Sequence, residues 1–162
     1  MIYYKTKDEI ELIRKSSLLV SETLALIAGL IKPGVTTLDL DKQAEIFIRD
    51  NGAKPSFKGY RGFPNTLCIS LNDAVVHGIP SSKVIKEGDV VSVDCGVIKD
   101  GFHGDSAYTF LVNAATLESV NLAKVTKECV FKGIEQAVSG NRIGDISFAR
   151  LLMGPSRGSR IK

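Results

Sequence analysis

Two aspartates on one predicted β-hairpin have the spacing in this sequence that is best suited to chemistry. Residues 90–98 are rich in β-branched side chains, and the Asp100-Gly101 pair that follows is typical of a two-residue hairpin loop. Such a loop places Asp94 opposite Ala107, with Asp105 as its diagonal neighbour on the same face, about 7–8 Å away at Cα. Two carboxylates at this separation could hold one divalent cation or share two cations about 3.5–4 Å apart.

The alternative is that both acids are solvated on the exposed face of the hairpin. Aspartate is disfavoured inside strands and like charges on one face repel, so a bound cation would offset an unfavourable arrangement. Gly96 and Gly104 lie beside the two acids and favour the metal-binding interpretation, because glycine inside a strand often marks the close approach of a ligand or of backbone. The residues by themselves leave both interpretations open.

The composition indicates a soluble protein with a single domain. The 162 residues are 44% hydrophobic and 24% charged, and their net charge of +3 comes largely from four basic residues after residue 147. This balance argues against a nucleic-acid partner. Three cysteines without a CxxC pair indicate reduced thiols, and there is neither a signal peptide nor an apolar run near the ~20 residues that span a bilayer. We therefore expect a cytoplasmic protein without a membrane partner.

Helices are predicted on both sides of the hairpin. A capping box at Thr6–Glu9 starts a long helix that Pro33-Gly34 ends, and Thr37 caps a second helix that ends at Asn51-Gly52. Another long amphipathic helix begins at Thr116. Helices of this kind bury one apolar face, so we expect them to cover the sheet that contains the hairpin.

The second half of the chain starts to repeat this pattern and then loses it. The spacing from Gly140 to Ile146 matches the spacing from Gly34 to Leu40, a weak internal repeat of helix, glycine turn and helix start. The helix expected next does not develop, because glycine and proline interrupt the pattern. We predict a folded portion over residues 1–147 and a disordered basic tail over residues 148–162.

Aromatic residues recur on an irregular stretch between the second helix and the hairpin. Phe57, Tyr60 and Phe63 are three residues apart and are separated by glycines, which disfavours a helix. They could form the wall of a pocket for an apolar side chain, or they could simply fix the loop that carries them.

A histidine follows two predicted short strands. Residues 66–71 and 74–76 have strand composition and lead into His77, which precedes a Gly-Ile-Pro sequence. Side chains at strand ends are often functional, although a single histidine is more often structural. The residues alone allow a catalytic or substrate-binding role without requiring it.

Three motifs in order resemble the type I methionine aminopeptidases. They are NDAVVHGIP at 72–80, VVSVDCG at 90–96 and KDGFHGDS at 99–106, supported by KPGVTT at 32–37 and GYRGFPNTLCIS at 59–70. The resemblance extends from Tyr4 to Ser147, and it is closest to the short bacterial form. It implies an α/β fold of the α+β type, the pita-bread fold, with a curved antiparallel sheet covered by helices. The chain would hold the first pseudo-symmetric half and the start of the second.

The resemblance also implies roles for individual residues. Asp94 would chelate one of two divalent ions and Asp105 would bridge both. His77 would be catalytic and substrate-binding, in contact with the scissile peptide. The positions that match the methionine pocket are Tyr60, Phe63 and Cys68. Phe57 stands where many members of the family have a smaller residue.

The implied activity is hydrolysis of the N-terminal methionine of nascent proteins by a metal-bound hydroxide, with manganese, iron, cobalt or zinc as the ion. The remaining ligands of the family are one histidine and two glutamates, and no His, Glu or Asp follows Ser147. We therefore expect a truncated chain that is inactive alone and binds at most a single metal ion weakly. A half-fold would also expose apolar surface, which predicts aggregation or self-association.

Two other functions fit the same motifs less well. A non-catalytic binding module on the pita-bread fold would have no need of Asp94 and Asp105. Against a proline-specific dipeptidase, the His-Gly-Ile-Pro sequence after residue 76 and the expected lack of an N-terminal domain favour the methionine enzyme. The expected partners are nascent polypeptides with an N-terminal methionine, and the ribosome is where such chains emerge.

Overall fold

The computed structural model describes residues 3–153, with the backbone alone at residues 151–153. These residues divide into two compact units, the first up to Ala114 and the second from Ala115. The boundary falls inside the portion 1–147 predicted as one folded piece. No helix in the described part of the chain is long and apolar enough to cross a membrane.

The first unit combines two helices with a four-stranded antiparallel sheet, as the α+β class predicts. Strand β3 is central: β4 pairs along one edge, while β1 and β2 pair with different parts of the other edge. The elements are α1 Lys7–Leu30, α2 Thr37–Asp50, β1 Lys54–Pro55, a 3-10 turn at Tyr60–Gly62, β2 Leu67–Leu71, β3 Val90–Lys99 and β4 Phe102–Leu111.

Both predicted helix starts are confirmed, and the cap of the second helix lies one residue earlier than predicted. The Thr6 hydroxyl accepts a hydrogen bond from Glu9 N while the Glu9 carboxylate accepts one from Thr6 N, so the capping box is complete. The second helix is capped by Thr36, one residue before the predicted Thr37, which is the first residue of α2. Both threonines can accept a backbone N–H, and the sequence does not distinguish between neighbours of this kind.

The predicted hairpin register is confirmed. Lys99 pairs with Phe102 and Asp94 with Ala107. Asp100 and Gly101 both have positive φ, 51° and 83°, as a type I′ turn requires. This turn sets which side chains of β3 and β4 share a face of the sheet.

The predicted strand at residues 74–76 is not formed. Asn72 and His77 both adopt left-handed backbone conformations, with φ of 54° and 59°, and these interrupt the extended run on both sides. The chain instead returns to β2 at Gly78, whose carbonyl accepts a hydrogen bond from Ile69 N at 2.8 Å. The segment before Gly78 is therefore a loop beside β2.

One face of the sheet packs into the hydrophobic core with α1 and α2. On β3 this face consists of Val91, Val93, Cys95 and Val97, all fully buried. At Gly104 the backbone of α1 comes so close that a Cβ would lie 2.5 Å from the carbonyl carbon of Ser16.

The Ser16 hydroxyl reinforces this contact between α1 and the hairpin by donating to the Phe102 carbonyl at 2.9 Å. The glycine at 104 thus admits a helix of the protein and not a ligand. Gly96 serves the same purpose, because the Phe57 ring occupies the space that its Cβ would take. The close approach that these glycines suggested is made by the protein itself.

The second unit consists of α3 Leu117–Glu135 and α4 Ile143–Met153. Thr116 caps α3, as predicted. The predicted disordered tail at 148–162 is wrong over its first six residues, which belong to α4. Arg150 and Ile146 pack against Gly133 of α3, and the helix-breaking glycine and proline come only after Met153. The rest of the predicted tail, residues 154–162, lies outside the described residues.

Replacing Gly104 by alanine should destabilise the first unit, because the added methyl meets the α1 backbone, which cannot move aside as a flexible side chain could. We expect a loss of about 1–3 kcal/mol in the free energy of unfolding, measured with urea. Gly29→Ala is the matched control: it lies in α1 with open space around it and should stabilise by roughly 0.5–1 kcal/mol. Equal effects of the two substitutions would contradict the close packing of α1 on β4.

Candidate metal and substrate site

The Asp94 and Asp105 carboxyl groups lie together on the sheet face opposite the core. Asp94 pairs with Ala107 and Asp105 pairs with Gly96, so the two acids are diagonal neighbours, as predicted. Asp94 is half-buried, and this burial raises the pKa of its carboxyl group, as does the negative charge of Asp105 next to it. Two carboxylates crowded in this way repel each other, and a cation between them would relieve the repulsion.

Cys68 lies directly across from Asp94 on β2. Its side chain is 6% exposed, and burial together with the charges of Asp94 and Asp105 raises the pKa of the thiol to about 11. Cys68 is therefore a neutral thiol near pH 7, and a neutral thiol is a poor metal ligand. Cys95, the neighbour of Asp94 in sequence, points into the core.

His77 is presented by a strained loop beside β2. Its φ of 59° is unusual for a residue other than glycine, and such backbone is often found at functional positions. Gly78 follows it so tightly against β2 that a Cβ would lie 2.2 Å from the Ile69 carbonyl oxygen. The exposed His77 is near enough for its charge to lower the pKa of Asp94, opposing the effect of burial.

The three predicted pocket rings differ in their surroundings. The Phe57 ring covers Gly96 and so lies on the same face of the sheet as Asp94. Phe63 is partly buried, and its carbonyl accepts a hydrogen bond from Gly59 N at 2.7 Å that closes the loop. Tyr60 is 64% exposed, with the Arg61 guanidinium 5.4 Å from its ring centre. Phe57, which stands where many members of the family have a smaller residue, is thus the ring that lies next to the acids.

Asp41 is a buried acid at this site that the sequence reasoning missed. Its side chain is 3% exposed, and one carboxylate oxygen accepts hydrogen bonds from the backbone of Thr66 at 2.9 Å and Leu67 at 2.8 Å. The other oxygen accepts one from the Asn65 amide at 2.8 Å. A signal was present, because Asp41 follows Leu40 directly at the edge of the apolar stripe of α2, where a charged residue needs a buried partner.

Two more polar side chains are close to the acids. His103 lies on the same face as Asp105, and its Nδ1 is 3.1 Å from the Ser56 hydroxyl. The Thr66 hydroxyl is fully buried and has no hydrogen-bond partner among residues 3–153. A buried hydroxyl without a partner is unfavourable, so this atom is a position at which a ligand or a water could gain a contact.

Asp94 and Asp105 offer two carboxylate groups to a divalent ion. Within the described side chains, no group of three or more His, Cys, Asp and Glu residues could hold a metal ion together. Asp94 and Asp105 alone supply oxygen ligands, which suit hard divalent cations such as manganese. Water would have to complete the coordination of such an ion.

Comparison with known proteins places these features in a family. The model of metallopeptidase family M24 matches residues 11–151. The chain is 53% identical over 148 residues to a methionine aminopeptidase of Clostridium acetobutylicum, covering 91% of this chain and 59% of that protein. It is 44% identical to methionine aminopeptidase 1 of Bacillus subtilis, and the match covers 92% of this chain and 60% of that protein. The chain thus spans about three fifths of the length of these relatives.

Solved structures confirm the predicted pita-bread fold. The methionine aminopeptidase of Rickettsia prowazekii superposes with a TM-score of 0.93 at 37% identity, over 94% of this chain and 62% of that one. The prolidase of Pyrococcus furiosus superposes with a TM-score of 0.83 at 23% identity, over 92% of this chain and 43% of the prolidase. At that identity, the second likeness concerns the fold alone.

Manganese should bind weakly to the Asp94 and Asp105 pair, and Asp94→Asn or Asp105→Asn should each abolish the binding, because each removes half of the charged ligands. The same substitutions should leave the metal-free chain as stable or more stable, by up to about 1 kcal/mol, since they remove a repulsion. Paramagnetic broadening of amide signals would be measured, and we expect it to centre on residues 93–95 and 104–106.

The control is Asp100→Asn, which removes an acid from the turn of the same hairpin and should leave the manganese-induced broadening unchanged. Broadening spread over many surface acids, and unaffected by either site substitution, would show that the two aspartates are ordinary solvated residues.

Proposed function

Because the chain belongs to metallopeptidase family M24, we propose that it forms the part of a methionine aminopeptidase that supplies two carboxylate ligands and the methionine pocket. The observation that carries this proposal is the paired placement of Asp94 and Asp105 on one open sheet face, in a chain 53% identical to a methionine aminopeptidase over 148 residues. A module that only bound a partner would not need this electrostatically costly pair.

Asp94 and Asp105 are the proposed metal ligands. A bound divalent ion would polarise the scissile carbonyl and lower the pKa of a coordinated water. The protein holds its two carboxylates in position through the ladder of β3 and β4, before any ion arrives. Manganese, iron, cobalt and zinc all remain candidates for the native ion.

His77, Tyr60, Phe63 and Cys68 are the proposed substrate contacts. His77 projects from a loop fixed at Gly78 on β2, which suits a side chain that must meet the peptide bond next to the metal. The aromatic loop and the neutral Cys68 thiol offer the soft, apolar surroundings that a methionine side chain favours. We add Phe57 to this set, since its ring is the one packed beside the acidic pair.

The chain of 162 residues is proposed not to be catalytic by itself. The family resemblance calls for one more histidine and two glutamates, and residues 148–162 contain none of these. Two carboxylates hold a hydrated ion loosely, which is insufficient to activate a water and orient a peptide. The proposed substrate is the N-terminal methionine of nascent polypeptides in the cytoplasm, near the ribosome.

Self-association is part of the same proposal. In the second unit α3 exposes several large apolar side chains, and exposed apolar surface of this kind promotes association. Leu117 is 75% exposed, Phe131 55% and Ile134 58%. We propose that the isolated chain pairs or aggregates through such surfaces.

The chain alone should release no methionine from a Met-Ala-Ser peptide in the presence of manganese or cobalt, because three of the expected ligands are absent. Release would be followed by chromatography of the free amino acid against a blank with metal alone. Turnover above that blank, lost on Asp105→Ala, would contradict the proposed need for further ligands.

A chimaera tests the activity directly. Residues 1–147 of this chain, continued by the remaining part of the Clostridium acetobutylicum relative, should release methionine in a metal-dependent way and should leave Leu-Ala-Ser intact. Asp94→Asn and Asp105→Asn should each abolish release, and Asp100→Asn should not. A folded chimaera that binds manganese without releasing methionine would instead favour a non-catalytic binding module.

A further inference from the structure

Helix α2 carries a line of polar side chains that all face other parts of the first unit. Thr37, Asp41 and Glu45 are four residues apart, so they follow one another along the same side of the helix. We call these three residues the polar stripe. Thr37 and Asp41 are 2% and 3% exposed, and the Glu45 side chain is 21% exposed. The stripe runs beside the apolar residues with which α2 packs into the core.

Thr37 holds the segment that follows His77. Its hydroxyl donates to the Ser81 carbonyl at 3.1 Å and accepts from Ser81 N at 2.9 Å, and its own N–H donates to the Lys83 carbonyl at 3.1 Å. The loop with His77 is therefore fixed at two places, at Gly78 by β2 and at Ser81 by α2. Both attachments follow His77 in the chain, so they fix the path along which the backbone leaves the histidine.

Asp41 holds the segment that joins the aromatic loop to β2. Its three donors are consecutive residues, Asn65, Thr66 and Leu67, at the point where the loop becomes β2. The next residue is Cys68, opposite Asp94. The buried carboxylate thus fixes the direction in which the loop joins the strand beside the acidic pair.

Glu45 holds the start of the same loop. Its carboxylate accepts from the Lys58 ammonium at 2.6 Å and from the Arg49 guanidinium at 2.8 Å. Lys58 follows Phe57, whose ring covers Gly96, and precedes Gly59, the first residue of the loop closed by the Phe63 carbonyl. The start of the aromatic loop and the segment just after it are therefore attached to α2 about one helical turn apart.

We propose that the polar stripe of α2 positions the two substrate-contacting segments, the loop with His77 and the aromatic loop from Phe57 to Phe63, over the Asp94 and Asp105 pair. Thr37, Asp41 and Glu45 are positioning residues in this proposal, and Asp41 is the central one. The inference rests on the proposed function for the identity of the ligand, a methionine side chain.

The burial of Asp41 is the strongest support. Burying a carboxylate raises the free energy of the folded state unless its oxygens accept hydrogen bonds. An apolar residue would attach the helix to the core without this desolvation penalty. The neighbouring Leu40, Ala44 and Ile48 already do this, since all three are buried in the core. What the carboxylate adds is direction, because its hydrogen bonds fix three consecutive loop residues at once.

The test uses the full 162-residue chain with three variants. Asp41→Ala removes the acceptor of all three hydrogen bonds. Asp41→Asn is the conservative variant, because its oxygen still accepts from Thr66 and Leu67 and its N–H₂ can donate to the Asn65 side chain once that amide turns over. Asp50→Ala, on an exposed residue of the same helix, is the matched control. L-methionine and L-alanine serve as ligands, and the chemical shifts of Tyr60 and Phe63 report their binding.

We expect Asp41→Ala to weaken L-methionine binding about ten-fold, with manganese binding at the acidic pair changed less than about two-fold. Asp41→Asn should keep the affinity to within roughly three-fold of the original chain, and Asp50→Ala should not change it. Equal affinities for the Asp41→Ala and Asp50→Ala chains would overturn the proposal. So would equal losses of methionine and manganese binding, because they would indicate general loosening of the fold.

Hydrogen exchange tests the proposal without a ligand. In Asp41→Ala the amides of Gly59 and Phe63 should exchange about ten-fold faster, and in Asp41→Asn they should exchange as in the original chain; unchanged exchange in Asp41→Ala would overturn the positioning role. If the original chain bound L-methionine no better than L-alanine, the proposed function would fail, but hydrogen exchange would still test the positioning role. If Asp41→Ala did not fold, Glu45→Gln at the exposed end of the stripe would be used, with faster exchange expected at Gly59.

Discussion

The two-residue period of β3 is the constraint on which the rest of the site depends. Val91, Val93, Cys95 and Val97 are all fully buried against the helices, so every alternate residue must face the other way. Asp94 is one of those residues, and a slip of the register by one position would carry it into the core. The turn at Asp100-Gly101 prevents the slip, because its two left-handed residues permit only one pairing of β3 with β4.

Local patterns allowed much of the fold and the placement of Asp94 and Asp105 on one face to be predicted. The hairpin, its register and the capping box depend on residues close in sequence, and the structure has all three. The strand predicted at 74–76 failed because two left-handed residues, neither of them glycine, bend the chain there. Helix α4 was missed because its support comes from packing on α3, which no local pattern reports.

Asp41 shows why the surroundings of the two acids were harder to predict. Its partners at residues 65–67 are some 25 positions away in sequence, and its position in α2 looks like that of an ordinary helix acid. Only the spatial arrangement reveals that the carboxylate is buried and bonded to a loop. The same is true of Phe57, whose contact with Gly96 joins two segments that no motif links. Long-range contacts of this kind, polar at Asp41 and apolar at Phe57, connect the strands of the two acids to the loops around them.

The placement of Cys68 and Cys95 has a consequence for the redox chemistry of the protein. The two residues lie on adjacent strands, with Cys95 paired to Leu67 and Cys68 paired to Asp94, so their side chains project from opposite faces of the sheet. A disulfide between them would require Cβ atoms that face each other, which the sheet forbids. Oxidation could therefore not crosslink the first unit internally, and an oxidant reaching Cys68 would form a sulfenic acid or a bond to another molecule, next to the carboxylates.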